Sequence, residues 1–271
     1  MGGCLSLVDA VANDLLDQQS RYYEESKNAK SYTVKKTKPE TATDASSSHL
    51  SAVLKSELSP IYPSLPKAAK KYFCRKVYDG DTLTLDNDSR VRLIGIDTPE
   101  LTEKQPFAVE AKEYTKKYCH GRDIWLSFDQ EETCNHTDHY GRLLAFVWVS
   151  LGRSGTKRKN STQWLCVNEG LVAAGLANAY SPSGTKRVNN YDKLLRLQSI
   201  AREHKIGLWK TYIDEQVITT PSGGAFHKFK GKDVSNIASD CKYLSRSKNL
   251  KLVSASECYD KGLHPCRFCV R

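Results

Sequence analysis

The stretch YFCRKVYDGDTLTLDNDSRVRLIGIDTPE, residues 72–100, decides how the chain is read. It holds two runs of alternating apolar and polar residues, FCRKVYDGDTLTL and RVRLIGI, and between them DNDS, a cluster of turn formers. The second run ends on Asp97, Thr98, Pro99 and Glu100, so two carboxylates stand beside Arg92 at a strand end. Like charges brought that close repel unless something positive lies between them.

Working outward, PFAVEAKEYTKKYCHG has apolar positions at helical spacing and closes on Gly121. DIWLSFD and RLLAFVWVS read as strands across the polar loop QEETCNHTDHYG. STQWLCVNEGLVAAGLANAY reads as a helix and its exit, and NNYDKLLRLQSIAREHKIGLW as an amphipathic helix. Three strands, a helix, two strands and two helices predict an α+β domain over residues 71–213, a five-stranded OB-type barrel with three helices. PSGG marks the start of a separate cysteine-rich unit, residues 221–271. Upstream, residues 31–70 are rich in Thr, Ser, Lys and Pro and read as a flexible linker, preceded by an N-terminal segment, residues 1–30.

Composition bounds the function. A net charge of +10 over 271 residues suits a polyanionic partner, or only solubility. No apolar run approaches the roughly 18 residues of a membrane span, so the body is expected to be soluble. The N-terminus MGGCLS places Gly2 and Ser6 as a myristoylation signal and Cys4 as a palmitoylation site. One myristoyl chain binds a bilayer only marginally, and the residues that follow are acidic, so Cys4 is the expected second anchor. A lipid anchor on a cytoplasmic membrane face keeps cysteines reduced, in keeping with their odd number, nine.

DGD at 79–81, RLIGIDTPE at 92–100 and DHYGR at 138–142 need one explanation. Asp81 and Asp97 can meet at one barrel rim, where a hard cation relieves their repulsion. Oxygen-only donors favour calcium or magnesium over zinc. Arg92 and Arg142 supply guanidinium forks that match phosphate oxygens, and Glu100, held back by Pro99, is placed to hold a water. Asp79 reads as a turn former rather than a ligand. Cation, base and two arginines around one phosphate are the apparatus of phosphodiester hydrolysis.

In order and interval, DGDTLTL, RLIGIDTPE and DHYGRLLAFVW, continuing through NEGLVAAGLANAY to IGLW, resemble the staphylococcal nuclease family over roughly residues 70–212. The resemblance implies calcium held by Asp81, Asp97 and the Thr98 main-chain oxygen. It implies phosphate contacts from Arg92 and Arg142, and Glu100 as general base. It also implies cleavage of DNA and RNA to 3′-phosphates. The acyl signal and tether resemble the plant calcium-dependent nucleases of this family, which sit at the plasma membrane. Tyr140 and Tyr180 are candidates for stacking on a base or sugar; His139 stands where the family often has Lys. The basic insert LGRSGTKRKNSTQ, residues 151–163, is either an added phosphate-binding surface or a loop. The competing reading is a catalytically silent, membrane-tethered nucleic-acid-binding module. The presence of Asp81, Arg92, Asp97, Glu100 and Arg142 together argues against it, because clustered unpaired charge costs stability.

In the C-terminal unit, Cys266-x-x-Cys269 with Cys241 and Cys258 points to structural zinc, since so short a unit buries little core unaided. The unit resembles the small zinc module of the Ada repair protein, with Ile237 where that pattern has a ligand. Cys258, His227 or His264 then completes the set, and Cys258 is the expectation. The alternative is a small core of free thiols.

Overall fold

The computed structural model describes residues 59–129, 136–153, 162–182, 187–231, 241–244, 247 and 249–270. Its elements run β1 (Ile61–Tyr62), β2 (Lys70–Val77), β3 (Thr82–Leu85), β4 (Arg90–Leu93), β5 (Ile96–Asp97), α1 (Ala108–Cys119), β6 (Arg122–Ser127), β7 (Leu143–Arg153), β8 (Thr162–Cys166), α2 (Val167–Ala173), β9 (Asn178–Ala179) and α3 (Tyr191–Glu203). A 3₁₀ turn (Gly207–Trp209) then leads to β10 (Gln216–Thr219), β11 (Ala225–Lys228), β12 (Lys251–Ser254), α4 (Ala255–Asp260) and β13 (His264–Pro265). Among the described residues no helix is long and apolar enough to cross a membrane.

Strands β4, β3, β2 and β6 pair antiparallel in succession, β6 pairs with β7, and β7 returns parallel to β4. That closes the expected five-stranded barrel and leaves its strands no free edge. Alternation fills it: Leu83, Leu85, Val91, Leu93, Ile124, Leu126 and Val147 are fully buried inside. The outward residues of β7 are buried as well, because β8 and β1 extend the sheet beyond it. Phe146 and Trp148 pack there with Tyr62, Leu65, Trp125 and Trp164. The indole of Trp148 donates to Ser127 Oγ at 2.8 Å, which satisfies its one polar atom.

Several boundaries differ from the expectation. The linker ends early: Ile61 and Tyr62, within the 31–70 stretch, pair with Leu165 and Trp164 of β8. FCRKVYDGDTLTL is two strands, because Tyr78 and Asp79 turn back to share the Thr82 carbonyl. The first part of the stretch read as a helix from residue 161 is β8, whose β-branched and aromatic residues pair with β7 before α2 begins at Val167. RVRLIGI breaks at Gly95, where φ is +78° and an added Cβ would lie 2.7 Å from Leu194. The break frees β5 from the barrel to pair with β9. Fully buried Asn168 patches the gap, accepting from Val147 N at 2.9 Å and donating to the Ile94 carbonyl at 2.9 Å.

The C-terminal sheet, in order β12-β10-β11-β13, begins with β10, so the unit starts before PSGG, which is instead the turn of the β10–β11 hairpin. The unit is docked on α3 and the segments that flank it. Gln198 donates to the Tyr259 carbonyl at 3.2 Å, Arg187 to that of Lys261 at 2.8 Å, Arg202 pairs with Asp260, and Trp209 meets Tyr259 edge-on at 4.8 Å.

Glu169 of α2 is fully buried, and its charge is matched by Lys193 of α3 at 2.8 Å, with Tyr62 and Asn190 donating at 2.7 and 2.9 Å. Burial and the Glu169 charge push the Tyr62 hydroxyl well above its usual value, so it remains a donor. Removing one partner of a buried pair strands the other. Glu169→Ala should lower the unfolding free energy by about 3–5 kcal/mol in urea titration; a loss below about 1 kcal/mol would show that the pair is effectively solvated.

Candidate active site and metal centre

The DGD turn builds the first half of the acid site. Asp79 Oδ1 accepts from Asp81 N at 3.1 Å, the turn-forming role expected of it. Gly80 is pressed so closely that a Cβ would lie 2.8 Å from both Ala111 of α1 and the Thr98 side chain, while Thr115 donates to the Gly80 carbonyl. Helix α1 therefore holds the turn against the 97–98 strand end, and Thr98 donates through N and Oγ1 to Asp81 Oδ2 at 2.8 and 2.9 Å.

One guanidinium joins the two acids. Arg92 Nη1 lies 3.0 Å from Asp81 Oδ2, and Nη2 lies 2.8 Å from Asp97 Oδ1. Nη1 also donates to the carbonyls of Leu93 and Ile96 at 2.8 and 3.0 Å. Arg92, expected to grip phosphate, is thus first of all the brace of the carboxylate pair. Glu100 is beside them, its N–H donating to Gln105 Oε1 at 2.8 Å.

Negative charge is in excess here: Asp79, Asp81, Asp97 and Glu100 face the guanidiniums of Arg92 and Arg267. Burial, and then repulsion from Asp81, lifts the Asp79 carboxyl to about 6. Burial likewise raises Asp97, with Asp81 adding to the rise and Arg92 and Arg267 opposing it. Glu100 is raised by burial, then by Asp81 and Asp97. Uncompensated carboxylates with oxygen donors alone fit a hard divalent cation.

The fold does not join every expected residue directly to this cluster. Arg142 stands at the start of β7, where Asp138 holds it: Oδ1 accepts from Arg142 N at 3.0 Å and from Tyr140 N at 2.9 Å, and Oδ2 from Arg142 Nε at 2.7 Å. Burial works to raise the Asp138 carboxyl, yet these hydrogen bonds outweigh it and hold the group below its usual range. Tyr140 is 73% exposed and stacked on His139 and Arg142, open to a base or sugar. Tyr180 is half-buried, with His264 packed edge-on at 5.1 Å. A cleft of about 270 Å³ beside Glu100 is walled by Lys76, Tyr78, Asp79 and Lys112. Gly2, Cys4 and Ile237 lie outside the described residues, as does most of the basic insert.

The sequence reading missed Asp138, whose four-residue spacing to Arg142 was a usable signal. It also missed Arg267, 170 residues from its partner Asp97. No local pattern reports such a contact.

The second centre corrects the zinc set. His227, Cys241, Cys266 and Cys269 present ligand atoms all within 4.8 Å of one another. Cys258 instead packs with Val217, Phe226 and Ala255 under α4, because its place on that helix turns it into the other small core. Cys241 and Cys266 sulfurs are 3.8 Å apart, and Cys269 Sγ is 3.6 Å from His227 Nδ1. A tetrahedron with Zn–S of about 2.3 Å and Zn–N of about 2.0–2.1 Å has edges of about 3.8 and 3.6 Å. Burial and then His264 lower the His227 pKa, which favours the neutral, ligating form. At Cys266, burial is outweighed by backbone N–H donors from Phe268 and Cys269, so its thiol is lowered. By mass spectrometric metal analysis the protein should carry about one zinc per chain, retained in Cys258→Ala and lost in His227→Ala and Cys269→Ala; loss in Cys258→Ala alone would reverse the assignment.

A family model described as staphylococcal nuclease homologue matches residues 90–211. The match includes Arg92, Asp97, Thr98, Glu100 and Arg142 and leaves out Asp81 and the C-terminal unit. The chain is 32% identical over 150 residues to a thermonuclease of Staphylococcus intermedius, spanning 52% of this chain and 77% of the relative. It is 33% identical over 143 residues to a thermonuclease of Staphylococcus hyicus, 49% and 72% of the two chains. To Protein ParB of Escherichia coli it is 31% identical over 137 residues, 49% and 69%.

Proposed function

The chain belongs to the staphylococcal nuclease family and is by that membership a nuclease, and we propose that it is calcium-dependent, hydrolyses DNA and RNA to 3′-phosphate ends, and works from an acylated membrane anchor. The carboxylate excess around the Arg92-braced pair carries this reading. Asp81 and Asp97 would hold the cation with the Thr98 main-chain oxygen. Bound there, calcium supplies charge neutralisation to a phosphodiester.

The remaining work falls to side chains. Glu100, beside the acid pair and held back from it by Pro99, takes a proton from the attacking water. Arg92 keeps the acids in register and presents positive charge at the rim. Asp138 fixes Arg142 through Nε, which orients the fork for phosphate oxygens. The water oxygen bonds to phosphorus as the bond to the 5′-oxygen breaks, and the departing oxygen is protonated from solvent. The exposed Tyr140 and the half-buried Tyr180 would each offer a ring to a base or sugar of the substrate.

Incubation with plasmid, single-stranded DNA and RNA in calcium, magnesium or chelator, with analysis of product termini, tests the reading. Calcium-dependent cleavage to 3′-phosphates is expected, and binding without cleavage in every condition would overturn it. Glu100→Gln and Arg142→Ala should each slow cleavage by about 100-fold or more, with calorimetric calcium binding kept in the former. Near-native rates in either would remove that residue from the mechanism.

The anchor belongs to the same proposal: Gly2 myristoylated, Cys4 palmitoylated, and the enzyme held on the cytoplasmic face of the plasma membrane. In a eukaryotic host, Gly2→Ala should move the protein from the membrane fraction to the soluble fraction. A variant that stays with the membrane would exclude acylation as the anchor.

A further inference from the structure

Arg267 occupies the two-residue gap of Cys266-x-x-Cys269, in the unit that lies outside the family match, yet its guanidinium reaches the acid site. Its Nη2 is 3.1 Å from Asp97 Oδ2 and 3.4 Å from Oδ1. Asp97 is therefore held between two arginines from different parts of the chain. They are not equivalent. The Arg92 side chain is 14% exposed and bonded to two carboxylates and two carbonyls. The Arg267 side chain is 70% exposed and covers Asp97 from the solvent side. One can leave by a rotamer change, whereas the other is built into the strand end.

The backbone beneath Arg267 is firmly placed. Cys266 N donates to the Phe226 carbonyl at 2.9 Å, Lys228 N to Cys269 Sγ at 3.4 Å, and Val270 N to the Cys266 carbonyl at 3.0 Å. The unit as a whole is fixed on α3 through Tyr259 and Asp260. His264, just upstream, packs on Tyr180 at the same rim.

We propose that Arg267 is a tethered counter-cation, delivered by the His–Cys knuckle, that competes with the divalent cation for Asp97 and so sets the cation affinity of the nuclease site. This inference rests on reading Asp97 as a cation ligand. A guanidinium and a divalent cation cannot both neutralise the same carboxylate at full strength, so binding of one weakens the other by the same factor. Because the Arg267 side chain is 70% exposed, solvent screens its half of the pair and the factor is modest. The knuckle thereby gains a role at the acid site through the one side chain that reaches from it to Asp97.

Calcium titration of the full chain by calorimetry, without nucleic acid, tests the proposal. Arg267→Ala and Arg267→Gln should each bind calcium on the order of three- to tenfold more tightly than the native protein. Arg267→Lys, which keeps the charge but not the fork, should fall between, and the differences should shrink at about 0.5 M salt. Melting temperatures close to native would show that the fold is unchanged. Unaltered or weaker calcium binding in both neutral variants overturns the proposal. So does weaker oligonucleotide binding at unaltered calcium affinity, which would make Arg267 a phosphate contact. Tighter calcium binding in a protein that cleaves nothing would support Arg267 as competitor while overturning the calcium-dependent nuclease reading. No calcium binding by the native chain, matching Asp97→Asn, would overturn both.

Discussion

The contact of Arg92 with both Asp81 and Asp97 is the constraint around which the rest of the rim is arranged. Two partly buried carboxylates from separate strand ends repel unless a positive group joins them. The guanidinium fork fits between them because β4 stops at Leu93 and Gly95 turns the chain, so Asp97 swings back toward the arginine five residues earlier. Gly80, Thr115 and α1 then lock Asp81 against the same strand end. The brace, the kink and the helix converge on the two acids and together define their common position.

The barrel supplies the rigidity that this arrangement requires. β7 pairs with β4 at its start, over residues 143–145, with β6 over 146–148 and with β8 from 148 onward, so the strand that Arg142 leads into is anchored along its length. Behind it, the buried Glu169–Lys193 pair and Asn168 fasten α2 and α3 to the sheet. Polar groups so deeply buried are costly unless paired. Here each is paired to a different element, so the same groups that specify the packing also fix the position of the rim.

Much of this was legible in the residues. Alternation with turn formers gave the barrel strands, helical spacing gave α1 and α3, and the acid and arginine pattern gave Asp81, Arg92, Asp97 and Glu100 as a group. What was not legible has physical reasons. FCRKVYDGDTLTL keeps its alternation through a turn, because Asp79 and Asp81 occupy polar positions either way. Residues 162–166 read as helix because the helical pattern of α2 follows without a breaker. Cys258 and His227 are indistinguishable as ligands by spacing alone; only the pairing of β11 with β13 brings His227 beside Cys266. Arg267 depends on how two units dock, which no periodicity encodes.

The sheet order also implies something about time. Tyr62 and its partner Glu169 are 107 residues apart, and the barrel cannot close until β7 reaches both β4 and β6. Joining such distant segments is entropically costly before any contact repays it, which makes folding slow. During synthesis the strand meander emerges first, with its outer strands unpaired, and β1 must wait for β8. The acids of the rim are therefore made well before the pairings that give them their positions, and the nuclease site comes into being only with the last strands of the barrel.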